Sequence, residues 1–330
     1  MSQIAVFGSG SYGTALAIQL ARNGNETLLW SRRPDQAAAM ARDRVNQAYL
    51  PDCCFPARLS VEADLARAAA APLWLLAVPS HALGDLARQL KPLLRPEVRI
   101  ACASKGFEPE SGRLAHEVAA FELGEMPFAI ISGPTFAREV GRGLPSALTI
   151  GSADADFADE VVDILHGPGM RAYTSTDVIG VEVGGGVKNV IAIAVGAADG
   201  LGLGANTRAL LITRGMREIM RLGEAMGARP ETLMGLAGMG DLVLTCTDDQ
   251  SRNRRLGKAV GSGRSVAEAQ AEIGQVVEGV RNAVEVHTLA QRYAVEMPIS
   301  HQVYRVLHEN IAVRQAFYEL SARPPGAESR

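Results

Sequence analysis

The sequence predicts an α/β protein, with an N-terminal Rossmann-type doubly wound parallel sheet followed by an all-helical C-terminal domain. Three observations carry this: short apolar runs alternate with amphipathic stretches through the first half, a glycine-rich turn follows the first apolar run directly, and strand-like patterning stops near Glu182. The apolar runs Ile4–Phe7, Thr27–Trp30, Leu73–Val78, Arg99–Ala103 and Ala129–Ser132 read as strands buried on both faces. Between them 14–23, 34–43 and 81–90 have helical composition, and 146–151 with 171–174 add the last strands. From Val187 onward only helical stretches remain: 187–198, 207–226, 230–236, 251–260, 265–271, 280–293 and 298–308. The chain of 330 residues therefore divides into a first domain over 1–184 and a helical one over 185–330. Gly184-Gly185-Gly186 marks the junction, where flexibility or close backbone approach is useful. The Pro- and charge-rich tail 322–330 is expected to fray.

Composition narrows the function. Hydrophobic residues make up 47% and charged residues 21%, the balance of a folded protein, and a net charge of −3 argues against a nucleic-acid binder. The opening residues lack the basic region and long apolar run of a signal peptide. The most apolar stretch, 187–204, contains Lys188 and Asp199, so it reads as a buried helix and not a transmembrane segment. Cys53, Cys54, Cys102 and Cys246 have no metal-ligand spacing, which fits reduced thiols in a cytoplasmic protein without a metal. Small-residue helices in the second half would allow a homodimer.

Gly8-Ser9-Gly10-Ser11-Tyr12-Gly13 lies between the first strand and the first helix. There Gly8 permits a tight turn, Gly10 a close pyrophosphate, and Gly13 close helix–strand packing. The free N–H groups and dipole of the helix then face an anion. A glycine-rich turn without ligand is the bland alternative. After the second strand, an NAD-selective site presents Asp or Glu to the ribose 2′-hydroxyl. This chain has Ser31-Arg32-Arg33, and two guanidiniums suit a 2′-phosphate. The cofactor expected is NADPH, with NADH also accepted; two solvated arginines are the alternative.

Reduction of a ketone by a nicotinamide needs a proton donor and a clamp on the substrate. His81, His116, His166, His287, His301 and His308 all fall on helical or loop stretches and read as structural or solvated. Lys105 closes a strand at the sheet's carboxyl edge, and Lys188 opens an apolar helix after the junction. Each is either a snorkelling lysine or one buried for a purpose. Gly238-Met239-Gly240-Asp241 and Thr245-Cys246-Thr247 precede Ser251-Arg252-Asn253-Arg254, which offers hydroxyl, guanidinium, amide and a helix N-terminus to a phosphate, or else caps a helix beside solvated arginines.

Taken together, GSGSYGTALA from Gly8, VPSH from Val78, SKG from Ser104, ISGPTFA from Ile131, GVKNVIAI from Gly186, GANTRALLITRG from Gly204, AGMGDLVLTCTDDQSRNRRLG from Ala237 and GQVVEG from Gly274 span the chain in order. This pattern resembles the bacterial NAD(P)-dependent sn-glycerol-3-phosphate dehydrogenases. The resemblance implies interconversion of dihydroxyacetone phosphate and sn-glycerol 3-phosphate, supplying glycerophospholipid synthesis. It implies that Lys188 is the general acid/base, with substrate contacts at Lys105, Gly133, Thr135, Asp241, Ser251, Arg252 and Asn253. The cofactor contacts it implies are Ser11, Tyr12, Lys105, Ala137, Arg252, Val276 and Glu278, besides Arg32 and Arg33. A related two-domain hydroxy-acid dehydrogenase and a non-catalytic NADP sensor are the rival readings.

Overall fold

A computed structural model describes residues 3–324, so the tail segment 325–330 lies outside the described residues. In chain order the strands are β1 (Gln3–Phe7), β2 (Glu26–Trp30), β3 (Val45–Asn46), β4 (Leu50–Cys54), β5 (Leu59–Glu62), β6 (Leu73–Leu76), β7 (Arg99–Cys102), β8 (Phe128–Ser132), β9 (Ser146–Gly151) and β10 (Met170–Ser175). Eight of them form one sheet in the order β10-β9-β8-β7-β6-β1-β2-β5. Neighbours are parallel throughout, except that β8 and β9 run antiparallel, which departs from the wholly parallel sheet expected.

The apolar strands bury both faces. Ile4 and Val6 of β1 join one core cluster while Ala5 and Phe7 join the other, and Leu73 and Leu75 of β6 are divided in the same way from Trp74 and Leu76. This is the period-two alternation of a strand between two helical layers. The helices of this part are α1 (Ser11–Arg22), α2 (Pro34–Asp43), α3 (Leu65–Ala68), α4 (Leu83–Leu90), α5 (Ala115–Leu123), α6 (Ala137–Arg142) and α7 (Ala155–Leu165). Strand order reverses between β1 and β6, so the carboxyl ends of these strands form the switch point where an α/β sheet takes its ligand.

The remaining helices are α8 (Val178–Gly200), α9 (Gly204–Ala225), α10 (Pro230–Leu233), α11 (Asp241–Thr247), α12 (Arg252–Gly261), α13 (Val266–Ile273), α14 (Glu278–Arg292), α15 (Pro298–His308) and α16 (Val313–Ser321). Among the described residues no strand follows β10. One compact unit comprises Met1–Gly185 with Ala228–Asp241, and the other Gly186–Gly227 with Leu242–Arg330. Helix α8 begins nine residues before the expected start at Val187, and the three glycines lie inside it and not in a hinge. Close approach explains the first two: a Cβ on Gly184 would lie 2.7 Å from the Ala237 carbonyl oxygen, and one on Gly185 2.9 Å from Ser132 Oγ. Although α8 is long and apolar enough to cross a bilayer, 83% of its most apolar window is buried, as in a core helix. In the first unit Glu182 of α8 accepts from the backbone N–H of His116, in the first turn of α5, and its second oxygen lies 2.5 Å from His116 Nδ1.

Within the second unit α8 and α12 touch backbone to backbone. Each carries a Gly-x-x-x-Gly stretch, Gly196 to Gly200 on one and Gly257 to Gly261 on the other. A Cβ on Gly196 would lie 2.1 Å from the Arg254 carbonyl oxygen, and one on Gly257 2.1 Å from that of Ile193. A Cβ on Gly200 would lie 2.3 Å from the Lys258 carbonyl oxygen, and one on Gly261 2.2 Å from that of Ala197. The small residues that suggested a subunit contact are thus used within the unit.

We expect Gly196→Ala and Gly257→Ala each to cost about 3 kcal/mol, since neither backbone can yield without separating the helices. Because one separation relieves both clashes, thermal unfolding of the double variant should show less than the sum of the two losses. Full additivity would mean that the two glycines do not share one crossing.

Candidate active site

The glycine-rich turn sits at the switch point. Gly8 has φ +122°, a conformation costly for any residue with a side chain, and its missing Cβ would lie 2.6 Å from the Ala77 carbonyl oxygen. Gly13 is the contact between α1 and the turn: a Cβ there would fall 2.0 Å from the Gly8 carbonyl oxygen. A Cβ on Gly10, by contrast, would meet nothing within 4 Å. Gly10 is also the N-cap of α1, and no side chain there competes for the first-turn N–H groups of Ser11 and Tyr12. The three glycines differ in the way a pyrophosphate cradle requires, and the residues present fit a dinucleotide.

At the end of β2, Ser31 is buried while Arg32 and Arg33 are exposed. Ser9 of the turn donates to Ser31 Oγ at 3.0 Å. Arg33 donates from Nε and Nη2 to the Gln36 side-chain carbonyl, at 3.1 and 3.0 Å. The hairpin of β3 and β4, unforeseen in the sequence, braces this turn: Asn46 Nδ2 donates to the Ser9 carbonyl and to Thr14 Oγ1, both at 2.9 Å.

A polar cluster lies at the carboxyl edge of the same unit. Lys105 Nζ donates to Asp241 Oδ2 at 2.7 Å and to the Gly133 carbonyl at 3.2 Å. It stands 5.5 Å above the Tyr12 ring, a cation–π placement. Tyr12 Oη and Thr135 Oγ1 are 2.9 Å apart, and Thr135 also donates to the Gly133 carbonyl. Burial pushes the Tyr12 phenol above its ordinary pKa, outweighing the neighbouring ammonium, so it stays a neutral donor. Ser132 Oγ, at the end of β8, is buried without a hydrogen-bond partner. Sequence patterning points to Lys105 and Asp241 separately; their ion pair joins residues 136 apart and leaves no local signal. Ala137 opens α6 and is partly buried.

The second unit holds the other candidates. Lys188 is only 6% exposed, and its Nζ donates to Thr245 Oγ1 of α11 at 3.0 Å. Ser251 is the N-cap of α12, its hydroxyl accepting from the Arg254 N–H. Arg252, the first residue of that helix, is partly buried. Asn253 is engaged at both ends, its Nδ2 donating to Asn189 Oδ1 at 2.8 Å and its Oδ1 accepting from the Gly279 N–H at 2.9 Å. Arg254 is neither solvated nor available to a ligand: it reaches Asp199, Asp249 and the Cys246 carbonyl from a site 6% exposed. Val276 is exposed, and Glu278 opens α14, whose Asn282 donates to the Gly186 carbonyl at 3.0 Å. Asn189 and Asn282 are neighbours of these candidates that the sequence reading does not single out, and Thr245 is named there only as part of Thr245-Cys246-Thr247. Asn189 follows Lys188 directly, and that adjacency is the one local clue.

Comparison with known proteins shows the family of the chain. Residues 3–158 match the N-terminus, and residues 177–318 the C-terminus, of NAD-dependent glycerol-3-phosphate dehydrogenase. The glycerol-3-phosphate dehydrogenase [NAD(P)+] of Serratia proteamaculans is 57% identical over 98% of this chain and 96% of its own. The crystal structure of glycerol-3-phosphate dehydrogenase from Coxiella burnetii superposes with a TM-score of 0.95 at 48% identity, covering 98% of this chain and 99% of that one. The Saccharomyces cerevisiae enzyme has a TM-score of 0.83 at 25% identity, covering 96% and 98%.

Gly13→Ala should weaken dinucleotide binding by at least about tenfold, because the added methyl displaces the helix that supplies the cradle's N–H groups. Titration of NADPH fluorescence reads this directly. Unchanged affinity would show that the turn is not the cradle.

Proposed function

This chain belongs to the NAD-dependent glycerol-3-phosphate dehydrogenase family, and on that premise we propose that it interconverts dihydroxyacetone phosphate and sn-glycerol 3-phosphate, using NADPH in preference to NADH. The observation that carries the reading is Lys188. An ammonium on a helix as apolar as α8 is costly to bury unless it has a partner and a task. Thr245 is the partner, and proton transfer to a ketone oxygen is the task.

A bound nicotinamide supplies the hydride to C2. The chain's own residues do the rest. Lys188, as the ammonium, gives its proton to the forming C2 alkoxide, and takes it back in the oxidising direction. Thr245 holds the ammonium in place through its hydroxyl oxygen. Asp241 and the Gly133 carbonyl orient Lys105, which supports the polarised substrate. Arg252 and the first-turn N–H groups of α12 grip the phosphate. Asn253 adds its second amide hydrogen, the first being committed to Asn189. Binding energy from the phosphate orients the small ketone for transfer. Gly8, Gly10, Ser11, Tyr12 and Gly13 hold the pyrophosphate, and Arg32 and Arg33 the 2′-phosphate.

The same reading makes the enzyme a cytoplasmic supplier of glycerophospholipid precursor. Its four free thiols fit that compartment. A homodimer belongs to the reading as well, with an interface away from the glycine faces that α8 and α12 fill.

A steady-state assay with dihydroxyacetone phosphate tests the proposal. Oxidation of NADPH, with a lower KM than for NADH, is expected; cofactor binding without turnover would overturn it. Replacing both Arg32 and Arg33 by Ala should raise the KM for NADPH far more than that for NADH. Arg252→Ala should cost about 10- to 100-fold in kcat/KM with dihydroxyacetone phosphate and much less with unphosphorylated dihydroxyacetone.

A further inference from the structure

The end of β2 carries a second polar device besides its two arginines. The side-chain carbonyl of Gln36, in the first turns of α2, accepts from three donors. Two are the Nε and Nη2 of Arg33, and the third is Ser31 Oγ at 3.3 Å. Ser31 accepts in turn from Ser9 in the glycine-rich turn. One neutral amide therefore connects the cradle to the Arg33 guanidinium. The other half of that amide, Gln36 Nε2, is buried and has no hydrogen-bond partner in the protein. The orientation of the amide is set by its neighbours, because three donors converge on one end and that end must be the oxygen.

Native proteins seldom leave a buried donor without an acceptor, and the exceptions call for an explanation. The missing acceptor lies within one hydrogen-bond length of an amide that already touches Arg33 and Ser31. An oxygen of the ligand these residues receive would supply it. A carboxylate in this position would do the opposite. It would neutralise Arg33 and repel a phosphate, which is how an acidic residue at a β2 end selects a bare ribose.

We propose that Gln36 sets the preference for a 2′-phosphorylated dinucleotide, its carbonyl aligning Arg33 and its buried amide N–H group donating to the 2′-phosphate. The proposal rests on the reading that this end of the site takes NADPH. Gln36 is a specificity-determining residue and takes no part in proton transfer.

Binding of 2′,5′-ADP and of 5′-AMP, measured by calorimetry, separates the 2′-phosphate from the rest of the dinucleotide. Gln36→Glu replaces the amide N–H group by a charged oxygen at constant shape. It should raise the Kd for 2′,5′-ADP by about tenfold or more and leave that for 5′-AMP within about twofold. Gln36→Met, which keeps the length but removes both polar atoms, should weaken 2′,5′-ADP alone by a smaller factor. In turnover, Gln36→Glu should raise the KM for NADPH, lower or preserve that for NADH, and leave the KM for dihydroxyacetone phosphate unchanged.

Equal losses for both nucleotides would assign Gln36 a purely structural role and overturn the proposal. So would an effect of Gln36→Glu with none from Gln36→Met, which would show that the native amide contributes nothing. The Arg32→Ala, Arg33→Ala double variant isolates the underlying reading. If it binds 2′,5′-ADP as well as the unaltered protein does, the NADPH reading itself fails. If it binds weakly while the Gln36 variants do not, only the role of Gln36 fails.

Discussion

The backbone contact between α8 and α12 is the constraint on which the second unit, with Lys188, depends. Side chains at a helix crossing act as spacers, and their rotamers leave some play in the separation. Four glycines remove those spacers, so carbonyl oxygens of one helix meet the Cα atoms of the other. Lys188 rides on the first of these helices, and Ser251 and Arg252 open the second. Polar ties fix the angle that the glycines leave open. Asn282 holds the Gly186 carbonyl, Asn253 joins Asn189 to Gly279, and Arg254 reaches Asp199 near the end of α8. Lys188 thus sits between two anchored positions of a helix that cannot shift without breaking buried hydrogen bonds, each costly to leave unmade.

The first unit solves a different problem by related means. On the proposed reading its ligand is an anion that meets backbone N–H groups, which calls for nothing to project from Gly10. The turn must stay rigid nevertheless. Packing at Gly13 and the Asn46 side chain supply that rigidity from behind, where they do not obstruct the cradle. The ion pair of Lys105 with Asp241 follows the same logic. It keeps a cation in fixed orientation at the sheet edge through a carboxylate that is itself almost wholly buried.

The sheet was legible because strands buried on both faces can only be apolar, and each of the five apolar runs became a strand. The glycine turn was legible for a similar reason: Gly8 and Gly13 meet close contacts that a side chain would break, and Gly10 leaves the space before the helix open. Elements defined by partners distant in sequence were not visible. The β3–β4 hairpin and β5 have mixed composition and take their place from neighbouring strands. The early start of α8 was hidden because three successive glycines usually end a helix, whereas here close packing against Ala237 and Ser132 requires the first two of them. The glycine pairs of α8 and α12 could be read in the sequence as small-residue repeats, but not which surface they served. Resemblance to the family named most of the candidate residues. It did not indicate that Asn253 spends its amide on Asn189 and Gly279, or that Gln36 carries an unanswered donor.

The central claim is that Lys188 is held in place to move a proton. The most direct test is Lys188→Met, which keeps the length and apolar stem of the side chain and removes the acid. With NADPH and dihydroxyacetone phosphate at saturation, kcat should fall by about 10²- to 10⁴-fold, the usual contribution of a general acid. The Kd for NADPH and the thermal midpoint should stay near those of the unaltered enzyme. A variant that turns over at close to the original kcat would contradict the account.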